Sequence, residues 1–305
     1  RSVGLAIGGM MRMRFYHTLR GEIYRIFHTP TFLMVLTLLL VLVLSDGCLA
    51  YREYRQNLDN VLATIPLNED GTFQQLPFLQ ICTLYNSWIG GHPNSVLGFL
   101  FLYTMPIYTA IVYGWTYLSD ERSGYTRILV ARIGRLSYFF CKYLAVFLAG
   151  ALVVLIPLLT SLLFTACLIP AYKPNVDMAL YYQVNAESLL GNLYYIHPLE
   201  AAFCNIGEIT LFAGLWSTVP LVVSYFVKNR FIALICPYFA LLFLIASTER
   251  ALVYRSFLET SIFDYLQLTS ASMIQSPWVL LVQMGALFAV PLVITWRKGR
   301  CPDVL

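Results

Sequence analysis

The residues best suited to chemistry in this chain lie in one stretch, SDERSGYTRILVARIGR, at positions 119–135. It opens on an acidic–basic cluster, Asp120, Glu121 and Arg122, and passes through Gly124 and Arg127 into a short apolar run at 128–131. It closes on Arg132, Gly134 and Arg135, and Lys142 follows a few residues later. Charges of both signs around an apolar turn suit contact with another protein surface. An ordinary basic loop would have much the same composition. For bond-making chemistry there is no comparable candidate. The chain has no GxxxxGK[ST] to cradle the phosphates of ATP, no HExxH among its 4 histidines and no GxSxG nucleophile turn. His92 and His197 each precede a proline and read as turn residues. The 7 cysteines form no CxxC. Cys141, Cys167 and Cys236 fall in apolar runs, where cysteine serves as a small hydrophobe. Cys48, Cys82 and Cys204 fall toward the outer face, where a disulfide among them is open.

Whatever positions the charged stretch is membrane-embedded. Of 305 residues 59% are hydrophobic and 12% charged, against roughly 25% charged in a soluble domain. The apolar residues fall in runs near the ~20 residues that cross hydrocarbon. Six such runs read as spans, at 31–50, 96–118, 136–168, 209–227, 231–247 and 278–296, which makes the expected fold an all-α membrane protein in one domain. Pro106, Pro157, Pro220, Pro237 and Pro291 lie inside these runs as kink candidates, since neighbouring helices can re-satisfy the freed backbone groups. Ahead of the first span, 11–28 is basic and amphipathic. Phe15, Leu19, Ile23 and Ile26 share one helical face, and Arg14, Thr18, Glu22 and Arg25 share another. Such a helix lies flat on an anionic inner leaflet, and a plain positive-inside anchor would have the same sequence. Met10 and Met11 look like natural initiators, which would make 1–9 an upstream extension.

The basic residues set the orientation. With both termini cytoplasmic, the inner segments hold Arg1, Arg12, Arg14, Arg20 and Arg25, then the basic residues of 122–142, then Lys228, Arg230, Arg297, Lys298 and Arg300. These are fifteen of the 20. Asp59, Glu69, Asp70, Asp177, Glu187, Glu200, Glu259 and Asp264 all fall outside. The outer segment 51–95 is long enough for short helices or a hairpin. The outer segment 248–277 alternates charge with apolar residues, as helices lying at the interface do. Glu208 and Glu249 sit at expected span ends, within reach of water. A net charge of +4 without a basic run interleaved with aromatics leaves no footprint for nucleic acid.

The stretch from 119 to 142 resembles the permease subunit of ABC-2 type ABC transporters. In that family an acidic residue leaves the second span, a Gly and an apolar turn follow, and an Arg and a Lys bracket the start of the third. Here those places are held by Asp120 or Glu121, Gly124, 128–131, Arg135 and Lys142. The resemblance extends to the six-span layout, to an amphipathic elbow helix at 11–28 and to interfacial outer helices between spans five and six. The long outer loop after the first span departs from commoner members. The resemblance implies that 119–135 forms a coupling helix docking on a separate ABC ATP-binding subunit. Asp120, Glu121, Arg122, Gly124, Arg127, Arg132 and Arg135 would be the coupling residues, with Glu121 and Arg122 foremost. It further implies a second permease subunit, identical or related, and a place in the cell membrane. ATP and Mg would sit on the partner subunit with no cofactor in this chain, and export is favoured over import. On this view the chain is not itself an enzyme.

Aromatic residues at span ends, such as Tyr113, Trp115 and Tyr117, fit an interfacial belt. Tyr103, Tyr108, Tyr225 and Tyr238 lie deeper, where they either line a translocation path or pack the core. The rival to transport is a polytopic immunity or sensor protein, or a membrane enzyme of another type, with no transport cycle. A neighbouring gene for a lone ATPase separates the two.

Overall fold

The structure is a computed structural model and describes residues 2–64, 81–92, 95–185, 188–256, 259–268 and 274–300. Glu69, Asp70, Glu187 and Cys301 lie outside the described residues, as do the side chains of Arg12, Arg14 and Glu249. Among the described residues the regular structure is helical and no strand forms.

The chain opens with α1 (Ser2–His28) and turns at Thr29 into α2 (Pro30–Thr64). Next come α3 (Val96–Thr109), a π-helical segment (Ala110–Gly114) and α4 (Thr116–Arg122), which together make one long rod. The short α5 (Tyr125–Ile133) leads into α6 (Arg135–Leu168). Two brief helices, α7 (Ala179–Tyr182) and α8 (Gly191–Ile196), precede α9 (Pro198–Val223). The chain continues through α10 (Arg230–Ser256), α11 (Ile262–Leu266) and α12 (Pro277–Arg300). Among the described residues, six helices are long and apolar enough to cross a membrane: Pro30–Ala63, Val96–Arg122, Arg135–Leu168, Pro198–Val223, Arg230–Thr248 and Pro277–Arg300. This is a multi-pass helical membrane protein.

Helix ends depart from the ends of the apolar runs. Helix α2 runs on past the expected span end at 50 through YREYRQNLDN, which contains no Gly or Pro to stop a helix. Helix α9 begins at Pro198, ahead of the expected span at 209–227, with proline pre-set for its first turn. Glu208 therefore sits well inside α9, with one carboxylate oxygen buried and without a partner, and not at a wet helix end. α11 packs into the bundle. Ile262, Phe263, Tyr265 and Leu266 are all buried against α9 and α12, and buried Glu259 accepts the backbone N–H groups of Thr260 and Ser261 at 2.9 and 3.0 Å. A carboxylate that finds backbone donors can leave the surface.

The core is built on α6 and α9. A Cβ added at Gly150 of α6 would stand 2.5 Å from the Cβ of Ser217, so the two backbones approach closely. The Ser217 hydroxyl also donates to the Val146 carbonyl at 2.9 Å. Small residues and interhelical hydrogen bonds of this kind hold membrane helices together, where the hydrophobic effect between helices is absent. In α9, 67% of the most apolar window is buried, against 11% in α10, so α10 flanks the bundle. Cys167 and Cys236 are exposed, unlike buried Cys141, and Cys48, Cys82 and Cys204 are free thiols.

Candidate functional site

Four charged side chains from three separate segments meet beside α5. Glu22 and Arg25 come from α1, Asp120 from the last turn of α4, and Lys142 from the second turn of α6. The Lys142 ammonium donates to Asp120 Oδ2 at 2.7 Å and to Glu22 Oε2 at 3.2 Å. Arg25 Nη2 donates to Asp120 Oδ1 at 2.7 Å, and its Nη1 lies 3.8 Å from Glu22 Oε1. The Tyr113 hydroxyl donates to Glu22 Oε2 at 2.7 Å, while its ring lies under Lys142, 4.7 Å from Nζ to centroid. Glu22 is 3% exposed and Asp120 and Lys142 are each 1% exposed. Two anions and two cations balance, which is the condition on which charge can be taken out of water.

Local structure explains how the segments reach one another. The π-helical segment holds Tyr113 on the inner side of the rod, and π segments inside helices commonly mark functional sites. Gly124 has φ +74 and Gly134 φ +83 with ψ 152, conformations that only glycine adopts without strain. They bracket α5 and let the chain reverse between α4 and α6. α5 is stapled to α6 by the Thr126–Tyr138 hydroxyl contact at 3.1 Å and to α1 by Arg25 over the Tyr125 ring at 5.3 Å. Burial opposes the charge on Arg25, but the hydrogen bond and charge of Asp120 outweigh it and raise its pKa further. Burial, and after it the charge of Glu22, raise the phenol of Tyr125 above its ordinary value.

The expected coupling residues divide. Asp120 is an internal ligand of buried Lys142 and half-exposed Arg25 and offers no outward surface, because the two cations claim both its oxygens. Glu121, Arg122, Arg127 and Arg132 are exposed, and Arg122 donates to the Lys228 carbonyl at 2.9 Å. Ile128 is 56% exposed on the same helix. Arg135 is half-buried, with Nη2 enclosed. Glu22, read as part of a polar outward face, turns inward instead. A lysine inside an apolar span demands a counter-ion, and that signal points to Asp120, 22 residues earlier, and not to Glu22, which lies 120 residues away in the chain.

The four tyrosines make packing contacts within the chain. Tyr103 stacks on Phe99 and Phe263 at 4.0 and 4.6 Å, and its carbonyl accepts the Tyr238 hydroxyl at 3.1 Å. Buried Tyr108 packs on Phe101, and buried Tyr225 meets Tyr117 and Phe139 edge-on. No family model, curated protein or solved structure matches this chain.

Proposed function

We propose that this chain is the transmembrane permease subunit of an ATP-driven transporter of ABC-2 type. It works with a separate ABC ATP-binding subunit and a second permease subunit in the cell membrane, both termini in the cytoplasm, and it exports its substrate. In this reading α1 is the elbow helix and α5 the coupling helix. The reading rests on the charge cluster of buried Glu22, Asp120 and Lys142 with half-exposed Arg25. It ties an amphipathic helix and the ends of two spans into one body, with Arg127 and Ile128 of α5 left facing outward. A short helix fixed at both ends to spans, and free on its outer face, can carry a partner's movement into the bundle, provided that bundle has two arrangements.

The chain holds no phosphate-binding loop, so ATP and Mg belong to the partner. The test is hydrolysis in nanodiscs. The purified chain alone should hydrolyse no ATP. Adding an ABC ATP-binding subunit encoded beside it should restore turnover, and a subunit lacking its phosphate-binding lysine should not. Turnover by the chain alone contradicts the reading. A partner whose turnover is unchanged by the chain favours a membrane protein with no transport cycle.

A further inference from the structure

At the α5 end of the bundle, the turn between α9 and α10 lies along the rod that ends in α4. Arg122 Nη2 donates to the Lys228 carbonyl at 2.9 Å, so its guanidinium stands at that turn. Two residues on, the Arg230 guanidinium lies over the Trp115 ring, 4.9 Å from its centroid. Arg230 Nε is enclosed without a hydrogen-bond partner, while Arg122 and Lys228 are exposed. Among the described residues no ion pair includes Arg122, Lys228 or Arg230. Exposed Glu121 is next to Arg122 in sequence but pairs with none of the three. The contrast with Lys142 and Arg25 is direct: those two cations each hold a carboxylate, and these three do not.

The same turn sits at the edge of the apolar part of the molecule. It joins two helices that are each long and apolar enough to cross a membrane. Phe226 and Phe231 flank the cations and are 73% and 75% exposed. From Phe231 exposed apolar side chains continue along α10 at Ile235, Phe239 and Phe243, about a turn apart. A ligand that satisfies this surface is anionic at one end and apolar along its length. The guanidinium fork matches phosphate oxygens, and an enclosed N–H without an acceptor is costly until one arrives. Basic pockets between membrane helices take lipid headgroups for this reason. We propose that Arg122, Lys228 and Arg230 bind the phosphate of an anionic phospholipid whose acyl chains lie along α10. The site rests on the membrane placement of the chain and not on the coupling reading.

Two other occupancies give different results. Free phosphate meets the same cations but gains nothing from the apolar side chains beside them. A general excess of basic residues at one membrane face attracts anionic lipid at about 1 kcal/mol per charge, whichever residues carry it. A built site depends on these residues in particular and brings the lipid against Trp115.

The probes are dioctanoyl phosphatidylglycerol, its zwitterionic counterpart dioctanoyl phosphatidylcholine, and inorganic phosphate as competitor. Lipid bound to the full chain in neutral detergent is counted by native mass spectrometry. We expect phosphatidylglycerol to bind at least about tenfold tighter than phosphatidylcholine, a preference of about 1.4 kcal/mol. Inorganic phosphate at equal concentration should not displace it. Arg122→Gln with Arg230→Gln should reduce the preference to about twofold or less. Arg20→Gln with Arg297→Gln, which removes two exposed cations from other helices, should leave it unchanged. In nanodiscs, chain-brominated phosphatidylglycerol should quench Trp115 emission, taken as wild type minus Trp115→Phe, more than chain-brominated phosphatidylcholine does. No anionic preference, a preference that survives the Arg122 and Arg230 changes, equal loss in both double variants, displacement by inorganic phosphate, or equal quenching each overturns the site. Should Arg122→Gln with Arg230→Gln not survive purification, the quenching comparison decides alone. Failure of lipid binding leaves the hydrolysis test of the coupling reading untouched.

Discussion

Lys142 sets the energetics of the charge cluster, because it touches both buried acids and no water. Removing one member of a buried ion pair leaves its partners charged and unpaired, at a cost of about 3–5 kcal/mol. Lys142→Met should therefore lower the unfolding free energy of the purified chain by about that amount. Replacing the pair together, Asp120→Leu with Lys142→Met, should recover a large part of the loss, because no uncompensated Asp120 charge remains. Glu22 and Arg25 still balance each other in that double variant. Denaturant unfolding in detergent of the wild type, each single variant and the double variant closes a thermodynamic cycle that isolates the pairwise term. Purely additive losses would show that Lys142 and Asp120 do not act as a pair.

At the scale of elements, α5 is held at fixed angles by two glycines with positive φ. Alanine at Gly134 must either adopt a backbone conformation costing roughly 1–3 kcal/mol or shift α5 against α6. Gly134→Ala should lower stability by about that much, while Gly207→Ala should not, since nothing stands within 4 Å of a Cβ there. Equal melting temperatures for Gly134→Ala and wild type would contradict the hinge. The helix itself was legible in the sequence, because Gly124 and Gly134 punctuate a short apolar run between charges. So were the six spans, since an apolar run as long as the bilayer is thick matches hydrocarbon in both length and chemistry. Helix ends were less legible. Hydropathy marks where hydrocarbon ends and not where a helix ends, so α2 outruns its span and α9 starts before its own. The burial of Glu22 was hidden by a different cause. Periodicity places it on a polar face, and only the three-dimensional approach of Lys142 and Tyr113 makes that face an inner one. The approach of Arg122 to the turn at Lys228 was not legible at all, because 106 positions separate the two residues in the chain.

For the whole molecule, the proposed orientation places α5 in the cytoplasm and the loop at 89–92 outside. Ser123→Cys, Asn229→Cys and Asn185→Cys, each in a cysteine-free background, put single thiols at exposed positions near the two ends. Asn185→Cys should react with an impermeant thiol reagent in intact cells, and the other two only after the membrane is opened. Labelling of Ser123→Cys from outside would reverse the molecule and remove α5 from any cytoplasmic partner. The central claim, that α5 docks an ABC ATP-binding subunit, is tested most directly by the composition of the purified complex. The full chain is isolated from native membranes after mild crosslinking, and proteins carrying a phosphate-binding loop are quantified by mass spectrometry. Arg127→Glu with Ile128→Asp reverses one exposed charge and buries another against the partner. Loss of hot-spot contacts of about 2 kcal/mol or more corresponds to roughly thirtyfold weaker association. One such ATPase should be recovered in stoichiometric amount with the wild type, and at least tenfold less with the variant, at equal yield of folded chain. An ATPase recovered equally with both, or with neither, would contradict the claim.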